Sequence, residues 1–408
     1  MLKNYIKIAL KVLRRRKFFT FISLFAISFT LVVLMVATAI LDHLFAPMPP
    51  ESNLDRTLGV FYMEMKGPKS TWSGNPGYGF LNKYVRGLSN VEKFSIFSEQ
   101  KTVTSYVKGT EIKSFLKRTD GAYWKILNFT FIEGRPLIDD DDNNANYVAV
   151  ISEATREKFF GNGSALGKFI EADRQSFQVV GVVQNVPELR PIGFADIWVP
   201  NSTSPQVSYR DKLMGDYIGL ILAQSKNDFA LIRQEFQSRL PGVQLANKEY
   251  DRMEGRPETF MESISPEIFD GRKSEVLMGL IILLMLLFMF LPTINLVNIN
   301  VSRILERSSE IGVRKSFGAS SWTLVGQFVV ENLILTAIGG LIGFVIAGIV
   351  LSIINNSGLI QYANLSLNLR IFGYGFVMIL VFGLLSGVYP AWKMSRIHPV
   401  LALKGIVQ

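Results

Sequence analysis

Cysteine is absent from the 408-residue chain. That excludes disulfides, thiolate metal sites and thiol nucleophiles. Histidine occurs only at His43 and His398. In the topology derived below the two fall on opposite sides of a membrane, so they build neither a shared zinc site nor a histidine-based triad. Charge is also sparse: 19% of residues are charged, 49% are hydrophobic, and the mean hydropathy is +0.26. An average soluble protein is less apolar than this, and the excess lies in blocks.

Four runs carry no charge: 18–41, 276–300, 332–361 and 371–392. Each exceeds the roughly 18 residues that mark a membrane-helix candidate. Pro292 interrupts the second, and the apolar part of the third ends near Ile354. Basic residues precede the first run, as in a signal peptide. Its apolar core is too long for one, however, and Asp42-His43-Leu44-Phe45 lacks small cleavage-site residues. It reads as a retained helix. The net charge of +9 is concentrated in segments 1–17, 298–323 and 392–408, which hold 14 Lys and Arg against 2 acidic residues. The remainder holds 29 basic and 32 acidic residues. Basic flanks of this kind mark cytoplasmic faces. The charge is therefore topological and points to no nucleic-acid partner.

The expected fold class is an α-helical membrane protein with four transmembrane helices plus a mixed α/β extracytoplasmic domain inserted between helices 1 and 2. A basic cytoplasmic segment (1–17) precedes helix 1 (18–42), and the outer domain occupies 43–273. The region 274–408 supplies helices at about 274–300, 324–354 and 371–391, with a cytoplasmic segment at 303–320. Both termini are then cytoplasmic. An outer region of about 230 residues holds its own core, in one or two lobes.

Within it, Tyr147-Val148-Ala149-Val150-Ile151 reads as a strand, with Ser152 capping a helix from Glu153. Segments 177–183 and 217–223 read as further strands. In 227–240, Phe229, Ile232, Phe236 and Leu240 share a helix face, and Pro241-Gly242 ends it. Pro47-Met48-Pro49-Pro50 stiffens the exit from helix 1. The run Asp139-Asp140-Asp141-Asp142 lacks the alternation, glycine bend and distal glutamate of a calcium loop, and is expected as a solvated surface loop. Gly161-Asn162-Gly163-Ser164-Ala165-Leu166-Gly167-Lys168 misses phosphate-loop spacing by one residue, and Phe169 replaces the required Ser or Thr. It reads as a helix-to-strand turn. No catalytic residue and no metal ligand is singled out.

Gly339/Gly343 and Gly383/Gly387 have the small-xxx-small spacing that lets membrane helices approach closely, within one subunit or across a dimer. Asn295, Asn298 and Asn300 fit interfacial positioning near the end of the second run. Glu310 and Arg314 are four apart, acid before base, which supports an exposed helix in 303–320. Ile311 sets an apolar side chain beside these charges, Gly318 ends the helix, and Ser320 caps the next one. A mixed-charge helix between two membrane spans suits docking of a cytoplasmic partner, or a generic cytoplasmic hairpin.

The string Glu306-Arg307-Ser308-Ser309-Glu310-Ile311-Gly312-Val313-Arg314-Lys315-Ser316-Phe317-Gly318, followed by Gln327-Phe328 and Glu331-Asn332, resembles the signature of FtsX-like permease domains. So do Gly339-Gly340-Leu341-Ile342-Gly343 and the C-terminal Gly387-Val388-Tyr389-Pro390-Ala391-Trp392. Gly134-Arg135-Pro136, Val148-Ala149-Val150-Ile151-Ser152, Phe159-Phe160-Gly161 and Val179-Val180-Gly181-Val182-Val183 are similar to the periplasmic core domain of MacB-type permeases. Residues 186–272 match no pattern.

The resemblance implies a multi-pass, non-catalytic permease subunit of a mechanotransmission (type VII) ABC transporter in a bacterial inner membrane. It implies a cytoplasmic ABC ATPase dimer as partner, which binds ATP and Mg while this chain binds no cofactor. A second permease subunit (homodimer or related heterodimer), membrane lipid, and a periplasmic adaptor or substrate protein complete the expected partners. Glu306, Arg307, Glu310, Ile311, Gly312, Val313, Arg314, Lys315 and Gly318 match the family's ATPase-coupling region. Gly339, Gly343, Gly383 and Gly387 are expected in helix packing. One alternative is an FtsX-like scaffold that controls a periplasmic partner such as a cell-wall hydrolase. Another is a membrane-tethered outer enzyme, for which 43–273 shows no triad or metal cluster.

Overall fold

The structure is a computed structural model. It describes residues 17–107, 109–264 and 320–367, with shorter runs within 6–15, 276–287, 313–318 and 369–384. The chain divides into two compact units: an outer unit, His43–Leu277 with Gly358–Ala363, and a helical unit, Met1–Asp42, Met278–Ser357 and Asn364–Gln408.

In the helical unit two described helices are long and apolar enough to cross a membrane: α1 (Lys17–Phe45) and, later in the chain, α6 (Ser321–Asn356). α6 starts where expected, since the Ser320 side chain accepts a hydrogen bond from Thr323 N. Gly318 before it has φ +88°, a left-handed conformation suited to glycine. The expected helices at about 274–300 and 371–391 fall largely outside the described residues.

The outer unit is mixed α/β. Six strands come first: β1 (Thr57–Val60), β2 (Met63–Lys66), β3 (Thr71–Gly74), β4 (Val91–Ser98), β5 (Lys101–Val107) and β6 (Thr110–Thr119). After α2 (Gly121–Ile126) come β7 (Phe131–Gly134), α3 (Asp139–Asn143), β8 (Val148–Ser152) and α4 (Glu153–Phe160). Then follow β9 (Phe169–Ala172), β10 (Gln175–Val183), β11 (Ile197–Pro200), β12 (Tyr217–Ala223), α5 (Phe229–Arg239) and β13 (Arg252–Gly255). The largest sheet has the order β5-β6-β11-β8-β10-β7, with β9 also paired to β10. It is mixed: β8 runs parallel to β10, and β6 parallel to β11. The unbroken apolar run of β8 suits a strand covered on both faces, and Ala149, Val150 and Ile151 are fully buried.

A second sheet, β1-β12-β4, is antiparallel, and a third is β13-β2-β3. Against β1-β12-β4 packs α5, through Phe229, Ile232 and Phe236, in one core with Leu58, Ile96 and Ile221. Strands 177–183 and 217–223 therefore stand as expected. So does the capped helix after β8, where the Ser152 side chain accepts from Thr155 N.

The acidic run corrects an expectation. Asp139 to Asn143 form the short helix α3, not a solvated loop, and Asp141 is 2% exposed. Its carboxylate accepts from Arg135 Nη1 at 2.6 Å, Ile138 N at 3.0 Å and Asn146 Nδ2 at 3.3 Å. Acidic residues in a helix's first turn meet the unpaired amides and the positive end of the dipole.

Candidate functional site

Of the residues matched to the coupling region, Glu306, Arg307, Glu310, Ile311, Gly312, Arg314 and Lys315 lie outside the described residues, as do Gly383 and Gly387. Val313 and Gly318 are described; Val313 is 44% exposed. Gly339 and Gly343 face α1 within one chain. A Cβ on Gly339 would meet Ile27 Cγ2 at 2.8 Å, and one on Gly343 would meet Ser28 O and Leu31 Cβ at 3.0 Å. Ser28 Oγ donates to Gly339 O at 2.8 Å, which gives the hydroxyl a partner that hydrocarbon does not offer.

Sequence reading missed a buried charge cluster in the outer unit. Glu51 and Arg190 are each 1% exposed and Lys117 is 2% exposed. Arg190 Nη1 donates to Ala46 O at 2.7 Å and stands 3.6 Å from Glu51 Oε2. Gly193 N donates to Glu51 Oε1 at 2.9 Å. Lys117 Nζ donates to Pro191 O at 2.8 Å and Ile192 O at 2.9 Å. Burial raises the Glu51 carboxyl above its ordinary range, against the pull of the Gly193 amide and Arg190. Burial pushes the Lys117 ammonium down to about 7, opposed by Glu51 and Glu99. No spacing signal joins residues so far apart in sequence. The one local hint is Arg190 standing in Pro187-Glu188-Leu189-Arg190-Pro191, a charged side chain between two prolines.

An open cleft of about 160 Å³ lies elsewhere in the outer unit, lined by Tyr78, Tyr209, Tyr217, Arg118, Asp173 and Lys101 among others. The three tyrosine rings stand 5.0 to 5.6 Å apart. Asp173 pairs with Arg118 at 2.8 Å and Lys101 at 3.1 Å. Burial pushes the Tyr78 hydroxyl up to about 12 and Tyr217 higher still, so both phenols stay neutral. Ser98 Oγ is committed to backbone: it donates to Glu99 O and accepts from Arg118 N. This is hydrogen-bonding chemistry without an activated nucleophile. Among the described residues no cluster of three or more His, Asp or Glu is arranged to hold a metal ion.

Residues 20–238 match the MacB-like periplasmic core domain, and residues 282–399 match the FtsX-like permease C-terminal domain. This chain is a MacB/FtsX-like ABC transporter permease. The permease is 24% identical over 332 residues to an uncharacterized ABC transporter permease, YknZ, of Bacillus subtilis, covering 80% of this chain and 79% of that one. It is 28% identical over 310 residues to the macrolide export ATP-binding/permease protein MacB of Wolinella succinogenes, covering 74% of this chain but 45% of that one. The pyoverdine export ATP-binding/permease protein PvdT of Pseudomonas syringae is also 28% identical, over 297 residues, covering 71% and 42%. The permease thus spans under half of the two relatives whose names include an ATP-binding part. The solved extracellular domain of a Gram-positive YknZ covers 48% of this chain at 19% identity, with a TM-score of 0.37. Its family and the two apolar helices among the described residues mark the permease as an inner-membrane protein with an extracytoplasmic α/β domain.

Proposed function

We propose that this permease converts ATP-driven closure of a separate cytoplasmic ABC ATPase into movement of its outer domain, which extrudes or extracts a periplasmic or membrane-held substrate. Four spans carry the motion in a dimer of permease subunits, and both termini lie in the cytoplasm. ATP and Mg stay with the ATPase; the permease supplies no catalytic group. The observation that carries this reading is the placement of the mixed-charge 303–320 segment inside the FtsX-like match. The match to a relative named only as a permease, over 79% of its length, supports an ATPase on another chain. In this scheme Glu306, Glu310 and Arg314 grip the ATPase, and the two ATPase states bind the permease with different affinity, which is the only way the cycle biases its conformation.

Glu310→Lys and Arg314→Glu test it. Each should abolish permease-stimulated ATP hydrolysis while the outer domain stays folded. Stimulation at the wild-type level in both variants removes the assignment. Capture of a cell-wall hydrolase by the outer domain, with no substrate movement, would favour the FtsX-like scaffold instead.

A further inference from the structure

A pull reaches a domain only where something grips it. In the outer unit, two segments that border apolar helices in the chain are gripped by the same short stretch, 187–196. The first is the strap leaving α1. Ala46 O accepts from Arg190 Nη1 at 2.7 Å, and Glu51 Oε1 accepts from Gly193 N at 2.9 Å. Pro50 lies over Gly193 so closely that a Cβ there would meet its Cγ at 2.5 Å. The second is the 358–363 segment that follows α6. Glu188 N donates to Gln361 O at 3.0 Å, and Gln361 N donates to the Glu188 carboxylate at 3.3 Å. Tyr362 Oη donates to Asp196 Oδ1 at 2.9 Å, and its ring stands 6.4 Å from that of Phe194. Tyr362 has φ +55°, a left-handed conformation unusual for a tyrosine, which persists only where the surroundings hold it.

The stretch is itself stiff and tied to the middle of the large sheet. Arg190 N donates to Pro187 O, and Phe194 N to Arg190 O. Lys117 of β6 donates to Pro191 O and Ile192 O, and Tyr123 Oη to Ile192 O. Asp196 reaches two strands at once: it exchanges backbone and carboxylate bonds with Phe115 of β6, and its carbonyl accepts from Ser152 N at the end of β8. β11 begins at the next residue, between β6 and β8.

We infer that 187–196 is the receiving joint of the outer domain. Arg190 and Tyr362 are its positioning residues, fastening the strap and the 358–363 segment to one stiff element that moves the sheet from its centre. This rests on the mechanotransmission reading and names the place where that motion enters.

The test uses the full chain with its ATPase in lipid nanodiscs, and reads amide hydrogen exchange with and without a trapped ATP state. In wild type, exchange across 187–196 and β11 should differ between the states by about fivefold or more, the lower end of ordinary coupling. Glu51→Gln with Arg190→Met removes both members of the strap's ion pair, so neither strands the other's charge. Tyr362→Phe keeps the ring and deletes the bond to Asp196. Each should shrink the nucleotide-dependent difference, and together they should erase it, with stimulated ATP hydrolysis unchanged. Arg190→Lys should restore part of the difference. A purely structural role would raise exchange equally in both states, and that result overturns the inference. An outer unit that responds to nucleotide in these variants as in wild type also overturns it while leaving mechanotransmission standing. Nucleotide-independent exchange throughout the wild-type outer unit overturns both.

Discussion

Arg190→Met should be among the most damaging single substitutions in the outer domain, and a second substitution should repair most of the damage. Arg190 and Glu51 are each 1% exposed and 3.6 Å apart, so neither charge is screened by solvent. Removing one partner of such a pair leaves an uncompensated buried charge, at a cost of about 3–5 kcal/mol. Here the lower end is expected, because Lys117 already contributes positive potential at Glu51. Without Arg190, Glu51 shifts further toward its neutral form. Adding Glu51→Gln removes the stranded charge and keeps an oxygen to accept from Gly193 N. The double variant should then fall within roughly 1–2 kcal/mol of wild type, since a buried pair exchanged for neutral groups of similar volume is often nearly neutral. The assay is denaturant unfolding of the full chain, followed by fluorescence of Trp124 and Trp198, both buried in the core beside this cluster. A single variant within about 0.5 kcal/mol of wild type, the range of ordinary surface substitutions, refutes the reasoning. So does a double variant that loses the sum of the two singles, since that leaves no interaction energy between the sites.

Two further predictions follow the same logic. Lys117 releases its proton near 7 when folded against an ordinary value of 10.5, so between those limits the unfolded chain binds more protons and stability rises with pH. The rise between pH 7 and 9 should vanish in Lys117→Met, measured by the same unfolding curves with Glu51, Glu99 and Arg190 left in place; an unchanged slope contradicts the assignment. In the helical unit, Gly343→Val should lower the thermal unfolding temperature in detergent, because its Cβ alone meets Ser28 O at 3.0 Å. Leu341→Ala, at a side chain that is 65% exposed, should leave it unchanged, and equal effects from the two would refute close helix packing at Gly343.

What was legible in the sequence was local. Val148–Ser152 announced itself as a strand through an unbroken apolar run, and its helix through the serine that caps it. α5 was readable because Phe229, Ile232 and Phe236 recur at helical spacing and bury together. The apolar runs that form α1 and α6 were readable because a charge inside lipid is costly. Structure built from distant partners was not. The sheet β1-β12-β4 joins Thr57 to Leu222 and Leu222 to Lys93, and nothing in any one strand names its neighbour. The acidic run was misread for a related reason: counting its charges hid that one of the four carboxylates turns inward to Arg135.

The buried cluster is the clearest case of this limit. Glu51, Lys117 and Arg190 look like any surface charges until the fold seals them, because burial belongs to the tertiary structure and not to the residue type. The family match does not reveal them either, since it identifies what the chain resembles and not which contacts transmit load. Yet a domain of this size gains little stability from an interior ion pair that apolar residues of equal volume would match. The cluster is better explained by direction than by stability. The Arg190 guanidinium donates a directional hydrogen bond to the Ala46 carbonyl of the strap and pairs with the Glu51 carboxylate further along it, a hold that a greasy contact of equal strength would let slide. A strap that must transmit a pull needs that resistance to sliding. The Glu51→Gln, Arg190→Met variant separates the two explanations, because it should keep the fold while weakening the transmission.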